Sequence, residues 1–390
     1  MKFSSLTDRV KGGAADVWDL HYLAKQAKER GEDVIVLSVG DPDFDTPERV
    51  IDRAARAMHD GDTHYTSILG HQELREAIAA RHRMLSGQAV DAEQVITTSG
   101  AQNALFACSL CLLDVGDEAI VLQPMYVTYE ATIQAPGATL VPVLLDAEQG
   151  FRLDRDSLLN AVTERTRAIF FASPSNPTGV ALNPEELELI AEVARQHDLW
   201  VVADEVYADF VYDDDFQHIS SLPDMAERVI SIGSLSKSYA MSGWRVGWAI
   251  APPQMIANME KLALCMLYGL PGFIQQAGAE ALNHCKDDLQ RMREVYRQRR
   301  DMLYAEFSAI AGLEPLLPEA GMFMMVNVLG SGLSTPDFTR ALYQATGVSV
   351  LDATAFGANA EGYVRISFTV ADEELQEACR RIKTFMEGRV

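Results

Sequence analysis

The twelve residues 234–245, SLSKSYAMSGWR, place Lys237 between small hydroxyl residues and set Arg245 eight positions beyond it. A lysine amine attacks a carbonyl only when deprotonated, and a free pKa of about 10.4 demands desolvation or a neighbouring cation to lower it. Arg245 supplies the cation. The hydroxyls of Ser234 and Ser236 can donate to phosphate oxygens, and Arg245 adds a fork-shaped donor set that grips phosphate from two directions. The stretch suits an aldehyde and a phosphate, and pyridoxal phosphate carries both. Taken alone, a serine-rich loop with a lysine is also an ordinary solvated turn, so its partners have to decide.

Those partners follow strand-like runs. The segment VITTSGAQ reads as a strand, a turn and a helix start, so the amides of Gly100, Ala101 and Gln102 form an anion site at a helix N-terminus. Tyr126 follows EAIVLQPM, Asn176 lies in SPSNPTG after RAIFFA, and Asp204 and Tyr207 lie in ADEVY at the end of LWVV. Asp204 can keep a pyridine nitrogen protonated, so that the ring withdraws electrons from a carbanion. Tyr207 and Asn176 can hydrogen-bond the ring's phenolic oxygen, and Tyr126 offers a face for the ring. Each residue alone also fits a structural role, as cap, turn former or core. Their shared position after strands is harder to explain as structure.

The elements that would carry them alternate. The runs EAIVLQPMY, ATLVPVLL, RAIFFASP, LWVVADEVY, RVISIGS and WRVGWAIAP are strand candidates, with amphipathic helices such as PEELELIAEVARQH between some of them. Nearly continuous apolar strands require cover on both faces, which predicts an α/β fold with a mostly parallel sheet in a three-layer large domain. Ligands gather beyond the carboxyl ends of such strands. Ahead of this region, residues 16–30 read as a helix closed by Gly31, VIVLSVG as a strand, and GDPDFDTPERV as a loop leading into a helix near Pro47. Gly40 lets backbone approach a ligand, and Tyr65 sits in a polar loop before another helix. Past residue 285, QRMREVYRQRRDMLYAEFSAI reads as a long helix whose arginines from Arg291 to Arg300 face solvent, followed by the strand-like GMFMMVNV and GYVRISF. Arg365 interrupts the last of these and suits bidentate capture of a carboxylate. The boundaries expected are 1–46 for an N-terminal arm and part of a small domain, 47–285 for the cofactor-binding domain, and 286–390 for a smaller α+β domain.

Composition bounds the partners. With 390 residues, 48% apolar and 23% charged, the chain reads as an ordinary globular protein. A formal charge of −23 argues against nucleic acid and anionic membrane surfaces. No run approaches the ~20 apolar residues of a membrane span. Five cysteines do not suggest a disulfide framework, which together with the lack of a targeting segment points to the cytoplasm. Cys108 and Cys111 form a CxxC spacing inside an apolar helical run and read as core thiols. There is no dinucleotide fingerprint, no HExxH and no cysteine–histidine zinc spacing, so no metal is expected.

In the order VGDPDFDTP, SPSNPTG, ADEVY, SLSKSYAMSGWRVGW and GYVRISF, the chain resembles the class I/II aminotransferases of pyridoxal-phosphate fold type I over nearly its whole length. The resemblance implies that Lys237 bonds the cofactor and shuttles the proton, that Asp204 partners the ring nitrogen, and that Tyr207 and Asn176 partner the ring oxygen. It assigns the phosphate to Ser234, Ser236, Arg245 and the amides of residues 100–102, the ring face to Tyr126, and the substrate carboxylate to Arg365 with Gly40. It implies a homodimer in which Tyr65 reaches the phosphate of the neighbouring subunit. Within the family, WDLHYLA, THYTSILG, LALCMLYG and GMFMMVNV resemble the arginine–pyruvate members, which implies an L-amino acid donor, arginine, and a 2-oxo acid acceptor, pyruvate. Trp18 and Asp19 are then candidates to cover and accept the guanidinium, against a plainer reading as a packing residue and a helix N-terminal charge. Aspartate or aromatic aminotransferases and a same-fold lyase keep the same cofactor residues and stay open. A cofactor-binding regulatory module fused to a DNA-binding domain is disfavoured by the absence of a basic N-terminal domain.

Overall fold

The computed structural model describes residues 2–11, 18–213 and 215–389. A two-residue strand, β1 (Ile35–Val36), precedes the main sheet. That sheet contains β2 (Val95–Thr98), β3 (Glu118–Gln123), β4 (Thr139–Leu144), β5 (Thr166–Ala172), β6 (Trp200–Asp204), β7 (Val229–Ser234) and β8 (Gly247–Ile250), in the order β2-β8-β7-β6-β5-β3-β4. β8 runs antiparallel to both of its neighbours and the remaining pairs are parallel. The other six strands therefore point one way, and their carboxyl ends share one edge of the sheet. Later in the chain come β9 (Glu314–Pro315), β10 (Phe323–Asn327), β11 (Val348–Ser349), β12 (Leu351–Asp352) and β13 (Tyr363–Ser367). Four of these form a sheet ordered β12-β13-β10-β9, while β11 pairs with β1.

Alternation along the strands builds the three layers. Phe170, Val202 and Ile230 point into one apolar cluster, which holds Leu105 and Cys108 of the helix Ala101–Leu112 and Met255 and Met259 of the helix Pro253–Met266. Their chain neighbours Phe171, Val201 and Val229 point into another, against Leu187, Ile190 and Val193 of the helix Pro184–Gln196. Two-sided burial is why these strands read as apolar at every position. Helix Pro184–Gln196 starts where its sequence requires: Asn183 accepts the Glu186 N–H at 2.9 Å, Glu186 returns a bond to the Asn183 N–H at 2.8 Å, and Pro184 occupies the first turn. Pro142 is tolerated within β4 because β4 is the edge strand.

Three expectations change in detail. The strand predicted for VIVLSVG is reduced to Ile35–Val36, and the chain beyond it turns toward the cavity described below. The first long helix runs Asp19–Glu29 and is closed by Gly31 at φ +80, while Asp16 and Val17 lie outside the described residues. The arginine cluster is not wholly solvated. Helix Lys286–Ser308 buries Met292, Tyr296, Arg299, Arg300, Leu303 and Phe307, a stripe at helical spacing on which two of the arginines fall. Arg299 is held there by both oxygens of Asp43 at 2.9 Å, by Asp372 at 2.7 Å and by the carbonyl of Phe368 at 3.2 Å. Cys108 is buried beside Met259, and Cys111 is half-buried with its thiol pushed up to about 11 by desolvation, as expected of core thiols.

Arg299 thereby ties the long helix to the loop that carries Gly40 and Asp41. Arg299→Met leaves the largely buried Asp43 carboxylate without its ion-pair partner and is expected to cost about 3 kcal/mol in urea unfolding. The exposed Arg297→Met should stay within about 0.5 kcal/mol of the parent protein.

Candidate active site

The carboxyl ends of β2, β3, β5, β6 and β7 open into one cavity of about 450 Å³. Its wall includes Lys237, which rides on the four-residue helix Leu235–Ser238. A helix that short has no stability of its own, so its ends must be tied from outside. At the front, Ser234 accepts the Ser236 N–H at 3.0 Å, and its oxygen lies 2.9 Å from the Val246 carbonyl and 2.8 Å from Ser236 Oγ. Ser234 is thus engaged within the turn, and of these two serines Ser236 is the freer donor. At the back, Ser238 donates to Asp209 at 2.5 Å, and Asp209 is paired with Arg81. Lys237 Nζ donates to the Gly40 carbonyl at 2.8 Å and lies 3.9 Å from Asp41. Desolvation holds its pKa below the usual lysine value; Asp41 opposes that shift, and Arg365 and Arg245 reinforce it.

One end of the cavity is built by a three-way interlock. Gly100 caps the helix Ala101–Leu112 at φ +79, and a Cβ there would stand 2.4 Å from Arg245 Nη2. A Cβ on Gly247 would stand 2.5 Å from the Gly100 backbone. Both positions need glycine so that the helix start and the arginine can meet. Arg245 itself adopts φ 56, a left-handed conformation uncommon for a residue with a side chain, and donates to the Ser242 carbonyl at 2.9 Å and the Ser99 carbonyl at 3.3 Å. Ala101 and Gln102 line the same end, with Gln102 held by Thr128 at 2.6 Å and Thr132 at 3.1 Å. Among the described residues no carboxylate pairs with Arg245. A guanidinium, a hydroxyl and a helix N-terminus converge there, which is a donor set for phosphate.

The middle of the cavity is set by Asp204, fully buried at the end of β6. Desolvation pushes its carboxyl up to about 6, against hydrogen bonds from Tyr129 and the Val206 N–H that favour the charged form. The Tyr129 hydroxyl donates to Asp204 at 2.8 Å. Tyr126 lines the wall and meets Tyr129 edge-on at 6.2 Å, and Tyr207, buried in the same wall, has its phenol pushed up by desolvation. Asn176 gives its side-chain carbonyl to Arg365 at 2.8 Å, which leaves its amide hydrogens for the cavity.

At the far end, Arg365 is buried between the rings of Phe323, 4.4 Å from its guanidinium carbon, and Phe356, at 4.9 Å. It donates to Asn176 and to the Ser38 carbonyl at 2.8 Å, its Nε has no partner, and desolvation pulls its pKa down to about 10. No carboxylate among the described residues stands within ion-pair distance of it. Gly40 is fixed beside it, since a Cβ there would fall 1.9 Å from Phe323.

Of the remaining candidates, Trp18 lines the cavity and Asp19 does not. Asp19 stands exposed in the first turn of Asp19–Glu29, the plainer of its two readings. Tyr65 is 87% exposed, stacked edge-on against Tyr268 at 4.8 Å and absent from the cavity wall of its own chain. Sequence reasoning missed Tyr129, Asp41 and the Ser238–Asp209–Arg81 chain. Tyr129 carried one visible signal, its spacing three residues beyond Tyr126. Behind Asp204, His82, Glu205 and His218 bring potential ligand atoms within 4.8 Å of one another. They are already paired, His218 with Glu205 at 2.9 Å and His82 with Gln88 at 3.0 Å.

The cavity fits pyridoxal phosphate: a phosphate cradle that two glycines keep open, a buried carboxylate for a ring nitrogen, amide and phenol donors for a ring oxygen, and a desolvated lysine for an aldehyde. Comparison with known proteins agrees. Residues 32–382 match the family model for aminotransferase class I and II. The chain is 48% identical over 382 residues to the arginine–pyruvate transaminase AruH of Pseudomonas aeruginosa, covering 98% of this chain and 97% of that protein. It is 36% identical to an aspartate aminotransferase of Pyrococcus horikoshii, with 92% of each covered. A mutant aspartate aminotransferase of Thermus thermophilus superposes with a TM-score of 0.93 at 32% identity, covering 99% of this chain and 100% of that one. The chain therefore belongs to the class I and II aminotransferases, enzymes that depend on pyridoxal phosphate.

Proposed function

We propose that this enzyme transfers the amino group of L-arginine to pyruvate, with Lys237, Asp204 and Tyr207 as its catalytic residues. The observation that supports this most directly is a pair of guanidinium groups, Arg245 and Arg365, that lack carboxylate partners among the described residues and line one cavity with the Lys237 amine, which feels both. Arg365 is buried, and a buried cation without a counter-charge is costly, so that end calls for an anion from the ligands, while the exposed Arg245 offers a second anion its donors at the other end. Arg245, Ser236, Ser234 and the amides of residues 100–102 hold the phosphate. Arg365, with Gly40, takes the substrate carboxylate, and Asn176 and Tyr207 donate to the ring oxygen. Tyr126 lies against the ring. Bound pyridoxal phosphate supplies an electron-withdrawing ring that makes the α-proton of an amino acid removable. Asp204, when ionised, keeps the proton on the ring nitrogen. Lys237 Nζ, whose pKa desolvation holds below the usual lysine value, would take the α-proton and return it at the carbon that the cofactor's aldehyde supplies. The donor leaves as a 2-oxo acid, and a second 2-oxo acid takes up the amino group in the reverse sequence.

Arginine as donor is supported by the relative of that name and by the composition of the wall. Among the described residues its cations are Lys237, Arg245 and Arg365, each with a role, which leaves no fourth described cation for the side-chain carboxylate of aspartate. The wall instead offers Trp18 and the half-exposed Asp41, so Asp41 takes the guanidinium role for which Asp19 was one candidate in the sequence. We further propose a cytoplasmic homodimer, in which Tyr65 reaches the phosphate of the other subunit, and a division at residues 46 and 285. In support, Tyr65 and Tyr268 are both exposed, the described cysteines are unpaired, and no described helix is long and apolar enough to cross a membrane.

A donor panel with pyruvate as acceptor tests the reading: alanine formation should be fastest with arginine, and preference for aspartate or for an aromatic donor refutes it. Lys237→Ala should abolish turnover, and near-normal transamination by that variant would sink its assignment. Asp41→Asn is expected to raise the Michaelis constant for arginine roughly tenfold, whereas Asp19→Ala should leave it within about twofold. Gly100→Ala, which forces Arg245 out of the cradle, should weaken binding of the cofactor by at least about tenfold with little change in the Michaelis constant of the donor.

A further inference from the structure

Asp204 does its proposed work only as a carboxylate, and the fold makes that difficult. It lies buried at the end of β6, opposite Ala172 on β5 and Ile232 on β7, neither of which can titrate or donate a side-chain bond. The titratable and charged groups that face it are Tyr129, Tyr126 and Tyr207, its chain neighbour Glu205, and the cavity's Lys237, Arg245 and Arg365. None of the three cations is within ion-pair distance of it. Among the described residues its oxygens receive two hydrogen bonds: the Val206 N–H reaches one at 3.3 Å and the Tyr129 hydroxyl the other at 2.8 Å. The first is long, which makes the phenol the stronger support.

Tyr129 is built for that task. It opens the short helix Tyr129–Gln134, three residues after Tyr126, so one segment supplies both the ring-facing phenol and the group behind Asp204. Its ring is packed in the core cluster with Ala104, Leu105, Phe170 and Val202, and its bond to Asp204 is long-range, from residue 129 to residue 204. Burial and the adjacent carboxylate raise the phenol's pKa well above the usual tyrosine value, so it stays a donor throughout the working range. The polarity of the bond is therefore fixed, with tyrosine giving and aspartate accepting.

We propose that Tyr129 is a positioning residue, whose hydroxyl keeps Asp204 ionised and aimed into the cavity so that a protonated ring nitrogen meets a charged partner at neutral pH. The proposal rests on the reading of Asp204 given above.

The test uses the full-length protein freed of cofactor and the probe pyridoxamine 5′-phosphate, an amine that forms no covalent bond with Lys237, titrated by calorimetry between about pH 5 and 8.5. For the parent protein, affinity should fall as pH drops through about 6, where Asp204 becomes protonated. In Tyr129→Phe that inflection should move up by about one unit, since a hydrogen bond to a charged group is lost. Affinity should then be about fivefold weaker than the parent's at pH 6 and within about twofold of it at pH 8.5. A ring-fluorinated tyrosine at position 129, a more acidic and so stronger donor, should move the inflection down; it keeps the hydroxyl and serves if Tyr129→Phe does not fold. In an Asp204→Asn background, Tyr129→Phe should add no further pH dependence. Loss of affinity by the same factor at every pH would reduce Tyr129 to packing and overturn the proposal. A parent protein with no Asp204-dependent inflection would instead overturn the reading of Asp204 itself.

Discussion

A buried guanidinium with no carboxylate beside it among the described residues, that of Arg365, is the constraint to which the rest of the site answers. Two hydrogen bonds and two aromatic faces hold it in place, yet they leave its charge unmatched and its Nε without a partner. Breaking or omitting one half of a buried ion pair commonly costs several kcal/mol, so a fold keeps such a group only where a ligand completes the pair. The flanking residues are arranged to keep it there. Gly40 has no side chain because Phe323 occupies that space, and the Gly40 carbonyl in turn takes the Lys237 ammonium or amine hydrogen. The proposed carboxylate site and the proposed reacting nitrogen are thus linked through a single backbone residue.

Sheet topology brings the other groups to the same place. Because β2, β3, β5, β6 and β7 point the same way, Gly100, Tyr126, Asn176, Asp204 and Ser234 all emerge at one edge, although they are spread over more than a hundred residues. β8 returns in the opposite direction, and that reversal is what places Arg245, just before it, against the helix start at Gly100. A fully parallel sheet would have sent the residue before β8 to the opposite edge. The single antiparallel strand is therefore part of the proposed phosphate end.

Legibility in the sequence follows the range of the interaction. Asn183 with Glu186, Pro47 before its helix and Gly31 after its helix are local signals, and the elements they mark begin and end close to where the residues place them. Strand ends were equally readable, which is why the cavity gathers most of the candidates. Arg299 and Arg300 were misread because charge masked their position on a helical stripe that continues the spacing of Tyr296 and Leu303. The role of Tyr129 could not be read, since its bond to Asp204 depends on which strands lie near its helix. The same is true of Asp209 and Ser238, and of the choice between Asp19 and Asp41, which lie 22 positions apart in the chain. Tyr65 stands exposed outside its own chain's cavity, so the role proposed for it needs a second subunit.

The segment from Asp204 to Asp209 works on two sides at once. Asp204 and Tyr207 face the cavity, whereas Glu205 turns back to His218 and Asp209 to Ser238 and Arg81. Ser238 follows Lys237 directly, so the groups proposed to hold the ring nitrogen and to move the substrate proton sit on two short pieces of chain locked together behind the cavity. A four-residue helix could not hold the lysine alone, and a strand end could not keep a buried carboxylate charged alone. Cross-bracing of the two pieces by residues that never enter the cavity lets each be short, which leaves the space between them for a ligand.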